Sequence, residues 1–205
     1  MNKSAMLNYY NKVIKLPQQK GWEKGIIQPP FIENNWIIRE KMYWRIETKE
    51  AIKIVGKRID LKVRHEENVK IISTFLKSLD NNPVLIELNN LSKRESKGLL
   101  AVSVYEDASD INYYIAVPTD MSCPNNMIEY IIPEATWAIF ETNRYFSETF
   151  DSIYQDFYLH WLPLSGYEYA KLPDVEVYPF GNKVIRSNFL EVWFAIKKIK
   201  SKVNG

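Results

Sequence analysis

The pattern of apolar residues in this chain occurs twice, and that repeat limits the folds open to it. The first copy has strands at 45–55, 99–105 and 111–117, and the second has strands at 130–140, 175–178 and 189–196. In each copy a helical stripe follows the first strand. Two β-α-β-β units predict an α+β domain with a pseudo-twofold antiparallel sheet, helices on one face and a ligand groove between the halves. The alternative is two similar α+β patterns that did not arise by duplication.

Each copy contains one amphipathic helix. In the first copy, apolar residues recur three and four positions apart, which is the spacing of one helix face. These residues are Val69, Ile72, Phe75, Leu76 and Leu79. The corresponding residues of the second copy are Phe150, Ile153, Tyr154, Phe157, Tyr158 and Trp161. Ser147 has the residue type and the position of an N-cap for this second helix.

Charge divides the chain of 205 residues into a basic arm and a larger body. Residues 1–45 carry eight Lys and Arg against three Glu, whereas residues 46–205 carry nineteen basic and twenty-two acidic side chains. We therefore predict a basic N-terminal arm or linker remnant at 1–42 and one folded domain at 43–200. The arm is interpreted as a solvated leader, with a nucleic-acid-binding arm as the alternative. The net charge of +2 does not favour nucleic-acid binding by the whole chain.

Several kinds of functional site have no support in the sequence. Neither of the glycine-rich motifs that bind nucleotide phosphates occurs. The two histidines, His65 and His160, are far apart and have no neighbouring cysteine, so we predict no metal site. The single cysteine, Cys123, precedes a proline in a polar loop and is interpreted as a bystander instead of a nucleophile. We therefore predict no cofactor.

The sequence also lacks the signals of a membrane or secreted protein. No apolar run approaches the eighteen residues that suggest a membrane span, and the N-terminus does not read as a signal peptide. We therefore predict a cytoplasmic location.

Glu191 stands in the middle of the last apolar strand and is the main candidate binding residue. Taking an unpaired carboxylate out of water is costly, so this side chain is expected to face an opening instead of a packed core. Strand alternation places Glu191 on the same face as Trp193. An acid among aromatic rings suits a cationic, apolar small molecule.

Further residues complete the predicted pocket. Glu176 and Tyr178 share one face of the short strand at 175–178, and whether that face meets the groove or solvent is left open. The expected aromatic walls are Trp193, Trp137, Tyr114 and Tyr105. We expect an ionised Glu191 to pair with a cation held over these rings, where each desolvated cation–π contact contributes about 0.5–2 kcal/mol.

Five segments between about 42 and 199 resemble one bacterial family. They are Tyr43–Gly56, Ile132–Phe140, Trp161–Glu168, Pro173–Tyr178 and Leu190–Ile196. Together they resemble the transcription-activator effector-binding domain, also called the AraC-type or gyrase-inhibitory-protein-like effector-binding domain. The resemblance implies a duplicated β-α-β-β fold that binds hydrophobic, often cationic, drugs and metabolites. It also implies that Glu191 is the ligand-contacting acid of the last strand.

Some residues depart from the family pattern. Trp193 replaces the usual tyrosine, and Lys197 stands where the last strand usually ends in a proline. Many members carry a helix-turn-helix module ahead of this domain, and 28–31 resembles the linker that follows it. About forty residues cannot hold the two such units of an AraC-type reader, so direct DNA binding is not expected. The expected function is therefore that of a stand-alone domain for a hydrophobic, cationic small molecule.

Two alternatives remain open at this level. Some family members hydrolyse strained-ring toxins, and Glu191 with a raised pKa would be the general base of such an enzyme. A protein inhibitor of a topoisomerase, with the basic arm as its contact surface, is the other. Neither alternative requires a cofactor.

Overall fold

The computed structural model describes residues 24–27, 42–62, 65–80, 82–93, 95–96, 98–106, 110–141, 150–181 and 190–199. Within these ranges the strands are β1 (Lys24–Ile27), β2 (Met42–Lys49), β3 (Ile52–Lys62), β4 (Leu99–Tyr105), β5 (Asp110–Pro118), β6 (Ile128–Ile132), β7 (Ala135–Glu141), β8 (Tyr167–Tyr169), β9 (Asp174–Tyr178) and β10 (Glu191–Lys198). The helices are α1 (His65–Leu79), α2 (Pro83–Leu91), α3 (Phe150–Gln155) and α4 (Leu162–Ser165). A π-helical stretch, Asp156–Trp161, joins α3 to α4. Most of the predicted arm at 1–42 and the predicted N-cap Ser147 lie outside the described residues.

All the described strands belong to one antiparallel sheet with the order β1-β2-β7-β10-β9-β4-β5-β3-β6, and β8 adds to the end of β10. This order is symmetric. The strands of the two copies correspond in pairs: β2 with β6, β3 with β7, β4 with β9, and β5 with β10. When the members of each pair are exchanged, the order of these eight strands is the same, read in reverse. The predicted α+β fold with two related halves is confirmed, and the halves meet where β4 pairs with β9.

Two short connections force the sheet to curl. The link from β2 to β3 and the link from β6 to β7 are two residues each, yet each joins strands six positions apart in the sheet. In a flat sheet those strands would lie about 29 Å apart. A two-residue link spans at most about 11 Å. The ends of the sheet are therefore drawn together along one rim.

The predicted boundaries of two strands are wrong at these links. The sequence predicts single strands at 45–55 and 130–140, but each divides in two, at 50–51 and at 133–134. Pro133 has no N–H for a ladder hydrogen bond, which favours the second break. After the first break the chain changes partners: β2 pairs with β7, whereas β3 pairs with β5 and β6.

The helices all pack on one side of the sheet, here called the helix face. Its core includes residues from every long helix, and the rings of Phe157 and Phe194 stack with centroids 4.0 Å apart. The predicted helix at 65–79 forms, although Val69 of its stripe is 43% exposed. Helix α2 was not predicted, because its nine residues are too few to show a clear period. Asn82 caps it by accepting a hydrogen bond from the Val84 amide at 3.0 Å.

The opposite side, here called the inner face, is buried without a described helix over it. One apolar cluster on this face joins Trp137 and Ala195 near one end of the sheet to Ile54 and Ile132 near the other. The curl explains this burial, since it brings the two ends of the sheet toward each other. Of the helices in the described ranges, none combines the length and apolar character that a bilayer span requires.

Candidate ligand-binding site

Two carboxylates lie on the helix face at the seam, which is the antiparallel pair of β4 and β9. Asp174 and Glu176 are 1% and 3% exposed. Their ladder partners on β4 are Ser103 and Ala101. Both partners are small side chains. A site here would draw on both halves of the protein.

Three tyrosine hydroxyls donate hydrogen bonds to Asp174. Tyr105 and Tyr154 donate to Oδ2 at 2.9 and 2.8 Å, and Tyr169 donates to Oδ1 at 2.9 Å. The donors come from β4, α3 and β8, so both halves contribute to this group. A carboxylate acceptor makes such bonds stronger than bonds between neutral groups. As whole residues the three tyrosines keep some solvent exposure, whereas burial is the largest influence on each hydroxyl.

The tyrosines remain donors across the ordinary pH range. Burial, and then the charge of Asp174, raise the pKa of Tyr105 well above its usual value. The same two causes raise the pKa of Tyr154 and of Tyr169. A phenol next to a carboxylate resists ionisation because the second negative charge would be repelled in a poorly solvated place. Within the described residues, the cluster therefore combines Asp174 with these three neutral hydroxyls.

Glu176 has its own tyrosine. The hydroxyl of Tyr178 donates to Glu176 Oε2, and Tyr178 is 1% exposed. Tyr178 pairs across the seam with Leu99. Gly98 precedes that leucine, and a Cβ there would stand 1.8 Å from the Tyr178 carbonyl oxygen. Glycine therefore permits β4 to begin directly against the end of β9.

A cavity of about 470 Å³ opens beside this end of the seam. Its lining residues are Asn82, Leu85, Ile86, Asn89, Leu99, Phe180 and Gly181. Leu85 and Leu99 are buried apolar side chains, whereas the asparagines belong to α2 or its cap. The volume lies in the range of small-molecule pockets. Because Leu99 is the ladder partner of Tyr178, the cavity lies one side chain from the acid–tyrosine cluster.

Glu191 lies on the other side of the sheet, on the inner face. It is 3% exposed, and both of its oxygens are engaged. Trp193 Nε1 donates to Oε2 at 2.7 Å, and Arg45 Nη2 donates to Oε1 at 3.1 Å. The prediction that this acid lies beside an aromatic ring agrees with the structure. Its charge, however, already has a cation of the chain beside it.

Arg45 is the centre of an ion cluster at this edge of the inner face. It contacts Glu191, Glu141 and, through Nε at 3.3 Å, Glu47. Burial lowers the pKa of the Arg45 guanidinium, but the charge and hydrogen bond of Glu191, with the two other carboxylates, outweigh that and raise it. Lys49 adds a second cation: its Nζ lies 2.6 Å from Glu47 and 4.8 Å from the ring centroid of Trp193.

The structure divides the seven predicted ligand-binding residues between the two faces. On the inner face are Glu191, Trp193, Trp137 and Tyr114. On the helix face are Glu176, Tyr178 and Tyr105. Trp137 meets Trp193 edge to face at 6.0 Å, whereas Tyr114 packs against Tyr130 at 5.2 Å.

Sequence reasoning missed several of the residues that complete these clusters. Asp174 lies two positions before Glu176, so strand alternation could have paired them. Tyr154 and Tyr169 carried no such signal, because their contacts depend on how α3 and β8 dock. The same holds for Arg45 and Lys49, which reach β10 across β7.

The remaining candidates have ordinary surroundings. His160 Nδ1 lies 2.8 Å from Asp156 Oδ1, one helical turn away. The side chain of His65 lies outside the described residues, and Cys123 is partly buried. Across the described ranges, no group of three or more His, Cys, Asp or Glu side chains is placed to hold a metal ion.

Comparison with solved structures identifies the same fold in other proteins. SAV2435 bound to tetraphenylphosphonium is 17% identical, with a TM-score of 0.60 over 75% of this chain and 93% of that one. A Staphylococcus aureus MU50 protein named as a bacterial transcription regulation protein is 14% identical, with a TM-score of 0.60 over 75% of this chain and 97% of that one. The integron cassette protein VCH_CASS2 of Vibrio cholerae is 13% identical, with a TM-score of 0.50 over 77% of this chain and all of that one.

A comparison with curated protein sequences finds no match. A family model, in contrast, matches residues 45–196, which include both halves of the sheet and both carboxylate clusters. That range is most of the chain and agrees with the predicted resemblance to effector-binding domains. The protein therefore belongs to the Cass2 family of integron-associated effector-binding proteins.

Proposed function

We propose that this protein binds a hydrophobic organic cation on the helix face, at the seam between its two halves. The observation that carries the proposal is the pair of buried carboxylates, Asp174 and Glu176, set among tyrosines beside a cavity of about 470 Å³. A small-molecule effector is the ligand class of the family. The cationic character of the ligand is inferred from the charge of the site.

The charges and rings at the seam suit such a ligand. Asp174 and Glu176, which are alternate residues of β9, give the seam a negative potential. Low solvent content strengthens their attraction for a cation. Tyrosine rings supply the flat, electron-rich surfaces that cations prefer. Tyr105, Tyr154 and Tyr169 keep some solvent exposure as residues, and the ligand would contact their rings from that side. A ligand in the cavity would touch apolar walls first and then approach Tyr178 and Glu176.

The inner face supports cation binding less well in this state. A ligand there would compete with Arg45 for Glu191 and with Lys49 for the ring of Trp193. A hydrolase that uses Glu191 as general base is disfavoured for a related reason. Both carboxylate oxygens are held by donors, so activating water would require one of these bonds to break.

Tetraphenylphosphonium is a suitable probe, because a structural neighbour, SAV2435, was solved with it bound. We expect calorimetry to show binding by the whole chain, with weaker binding of neutral triphenylphosphine oxide, which keeps three of the four phenyl rings. Glu176→Gln keeps the acceptor for Tyr178 but removes the charge. This substitution should weaken the binding of tetraphenylphosphonium roughly ten- to hundredfold, equivalent to about 1.4–2.7 kcal/mol. The binding of the neutral compound should be unchanged.

Glu191→Gln is the matched control, since it removes a buried carboxylate of the neighbouring strand on the opposite face. It should leave the affinity for tetraphenylphosphonium within about twofold, because only a weak long-range interaction is lost. Loss of binding in this control together with full affinity in Glu176→Gln would place the cation on the inner face. Equal effects on the charged and neutral compounds would contradict a role for charge.

A further inference from the structure

The outer edge of β6 lacks the usual protection of a strand edge. β6 is one end of the strand order, and β3 is the only strand of the described ranges that pairs with it. Its five residues, Ile128–Ile132, include neither lysine nor proline, the residues that commonly protect such edges. Ile131 is 54% exposed and Ile128 is 40% exposed. An apolar edge of this kind is suited to pairing with a strand of another molecule.

The ladder identifies the backbone groups that point outward from this edge. The Lys53 carbonyl accepts a hydrogen bond at 3.1 Å from the residue that follows β5, so the backbone groups of Lys53 point toward β5. Those of the next residue, Ile54, therefore point the other way, toward its ladder partner Tyr130. The direction alternates along β6 as well, so the N–H and C=O groups of Glu129 and Ile131 point away from β3. These are the donors and acceptors that a further strand would meet.

A second copy of β6 fits this edge in one symmetric antiparallel register. When Tyr130 lies opposite Tyr130 of the second copy, Glu129 lies opposite Ile131 in both directions, and every outward N–H meets an outward C=O. Centring the pair on Glu129 would place like charges directly opposite each other, which is destabilising. Centring it on Ile131 would place Glu129 opposite Pro133, which has no N–H to donate. Charge and hydrogen bonding therefore select the same register.

We propose that this protein forms a symmetric dimer in which the β6 strands of two copies pair antiparallel and join the two sheets. Ile131 of each copy then lies beside Glu129 of the other, whose carboxylate is already paired with Lys53 at 3.3 Å. Directly opposite residues share a face of the sheet, so the helix faces of both copies lie on the same side. The pairing uses no residue of the seam and goes beyond the proposed function, so the two proposals fail separately.

Sedimentation velocity of the whole chain over a concentration series measures the dimer. Ile131→Glu places the introduced glutamate opposite Glu129 of the second copy, on both sides of the twofold axis, and should raise the dimer Kd about tenfold or more. Ile131→Lys places a cation opposite Glu129 instead and should keep the dimer. Ile71→Glu is the matched control, because Ile71 is an exposed isoleucine of α1, 43% exposed and away from β6. It should associate as the wild type does.

Disulfide formation tests the register directly. In a Cys123→Ser background, Tyr130→Cys should form a covalent dimer under mild oxidation, because the Cβ atoms of directly opposite residues lie about 4.5–5.5 Å apart. Ile128→Cys should not, because it would lie about 13 Å along the strands from its counterpart.

Several results would overturn the proposal. One is a wild type that stays monomeric at every concentration, as it would if the edge were covered from within the chain. The others are an unchanged dimer in Ile131→Glu, an equal loss in Ile131→Lys or Ile71→Glu, and equal cross-linking at positions 128 and 130.

Discussion

Asp174 and Glu191 lie on neighbouring strands, are almost fully buried, and are stabilised in opposite ways. Asp174 accepts hydrogen bonds from three neutral tyrosine hydroxyls. Glu191 instead lies against Arg45, which two further carboxylates also contact. Neutral donors do not cancel the charge of a carboxylate, whereas a guanidinium beside it cancels much of that charge. The comparison shows that burial of an acid does not by itself identify a binding residue.

The largest loss of stability is expected when Arg45, the cation beside Glu191, is replaced. Arg45→Met leaves the buried Glu191 without this partner and should lower the free energy of unfolding by about 3–5 kcal/mol. Urea denaturation measures the loss. Adding Glu191→Gln should recover more than half of it, because the uncompensated charge disappears. Failure of the second substitution to recover stability would show that the two side chains are not coupled.

A smaller loss of stability is expected when the three tyrosine hydroxyls lose Asp174 as their acceptor. Asp174→Asn weakens three hydrogen bonds and turns a donor group toward the hydroxyls, so the unfolding free energy should fall by about 2–3 kcal/mol. Tyr154→Phe, which removes one of the three, should lose about 1 kcal/mol. A loss in Tyr154→Phe as large as that in Asp174→Asn would mean that the hydroxyls do not share the charge.

Alkaline pH tests the tyrosine cluster around Asp174 without a substitution. The pKa values of Tyr105, Tyr154 and Tyr169 are raised by folding, so the unfolded chain releases these protons first. Their contribution to stability is complete below about pH 10 and declines as pH rises above it, by about 1.4 kcal/mol per pH unit for each tyrosine. Urea denaturation between pH 9 and 11 should show this decline. Tyr154→Phe should reduce the slope, and an unchanged slope would contradict the assignment.

The smallest effect concerns Glu47 at the edge of the inner face. Burial raises the pKa of this carboxyl, but the hydrogen bond and charge of Lys49, together with Arg45, lower it below its usual value. Lys49→Met should therefore raise the pKa of Glu47, as carbon-detected NMR titration can measure. The lowered value stabilises the fold above the ordinary pKa, and that contribution disappears as pH falls through the folded value. No upward shift would mean that Lys49 does not contact Glu47 in solution.

The sequence was sufficient for the fold class because the repeat appears in the apolar pattern itself. Strand β4 was predicted to the residue, and the last strand within two residues of each end. The breaks at 50–51 and 133–134 were not predicted, because they depend on how the sheet curls and not on local polarity. Helix α2 was missed because its short stripe resembles an apolar loop.

The candidate site was less predictable than the fold. Alternation along one strand correctly grouped Glu191 with Trp193, and Glu176 with Tyr178. It could not tell which groups share a face, because that requires the register between β9 and β10. The ladder places Glu176 opposite Val192 and Glu191 opposite Val177, so the two acids point to opposite sides of the sheet.

The most direct test of the seam as the ligand site is the position of the bound cation. Tetraphenylarsonium has nearly the shape and charge of tetraphenylphosphonium, and its arsenic atom gives an anomalous X-ray signal. In crystals of the whole chain grown with this compound, we predict one strong peak on the helix face, between Leu99, Tyr178 and α2. A peak beside Trp193 on the inner face, with none at the seam, would contradict the assignment.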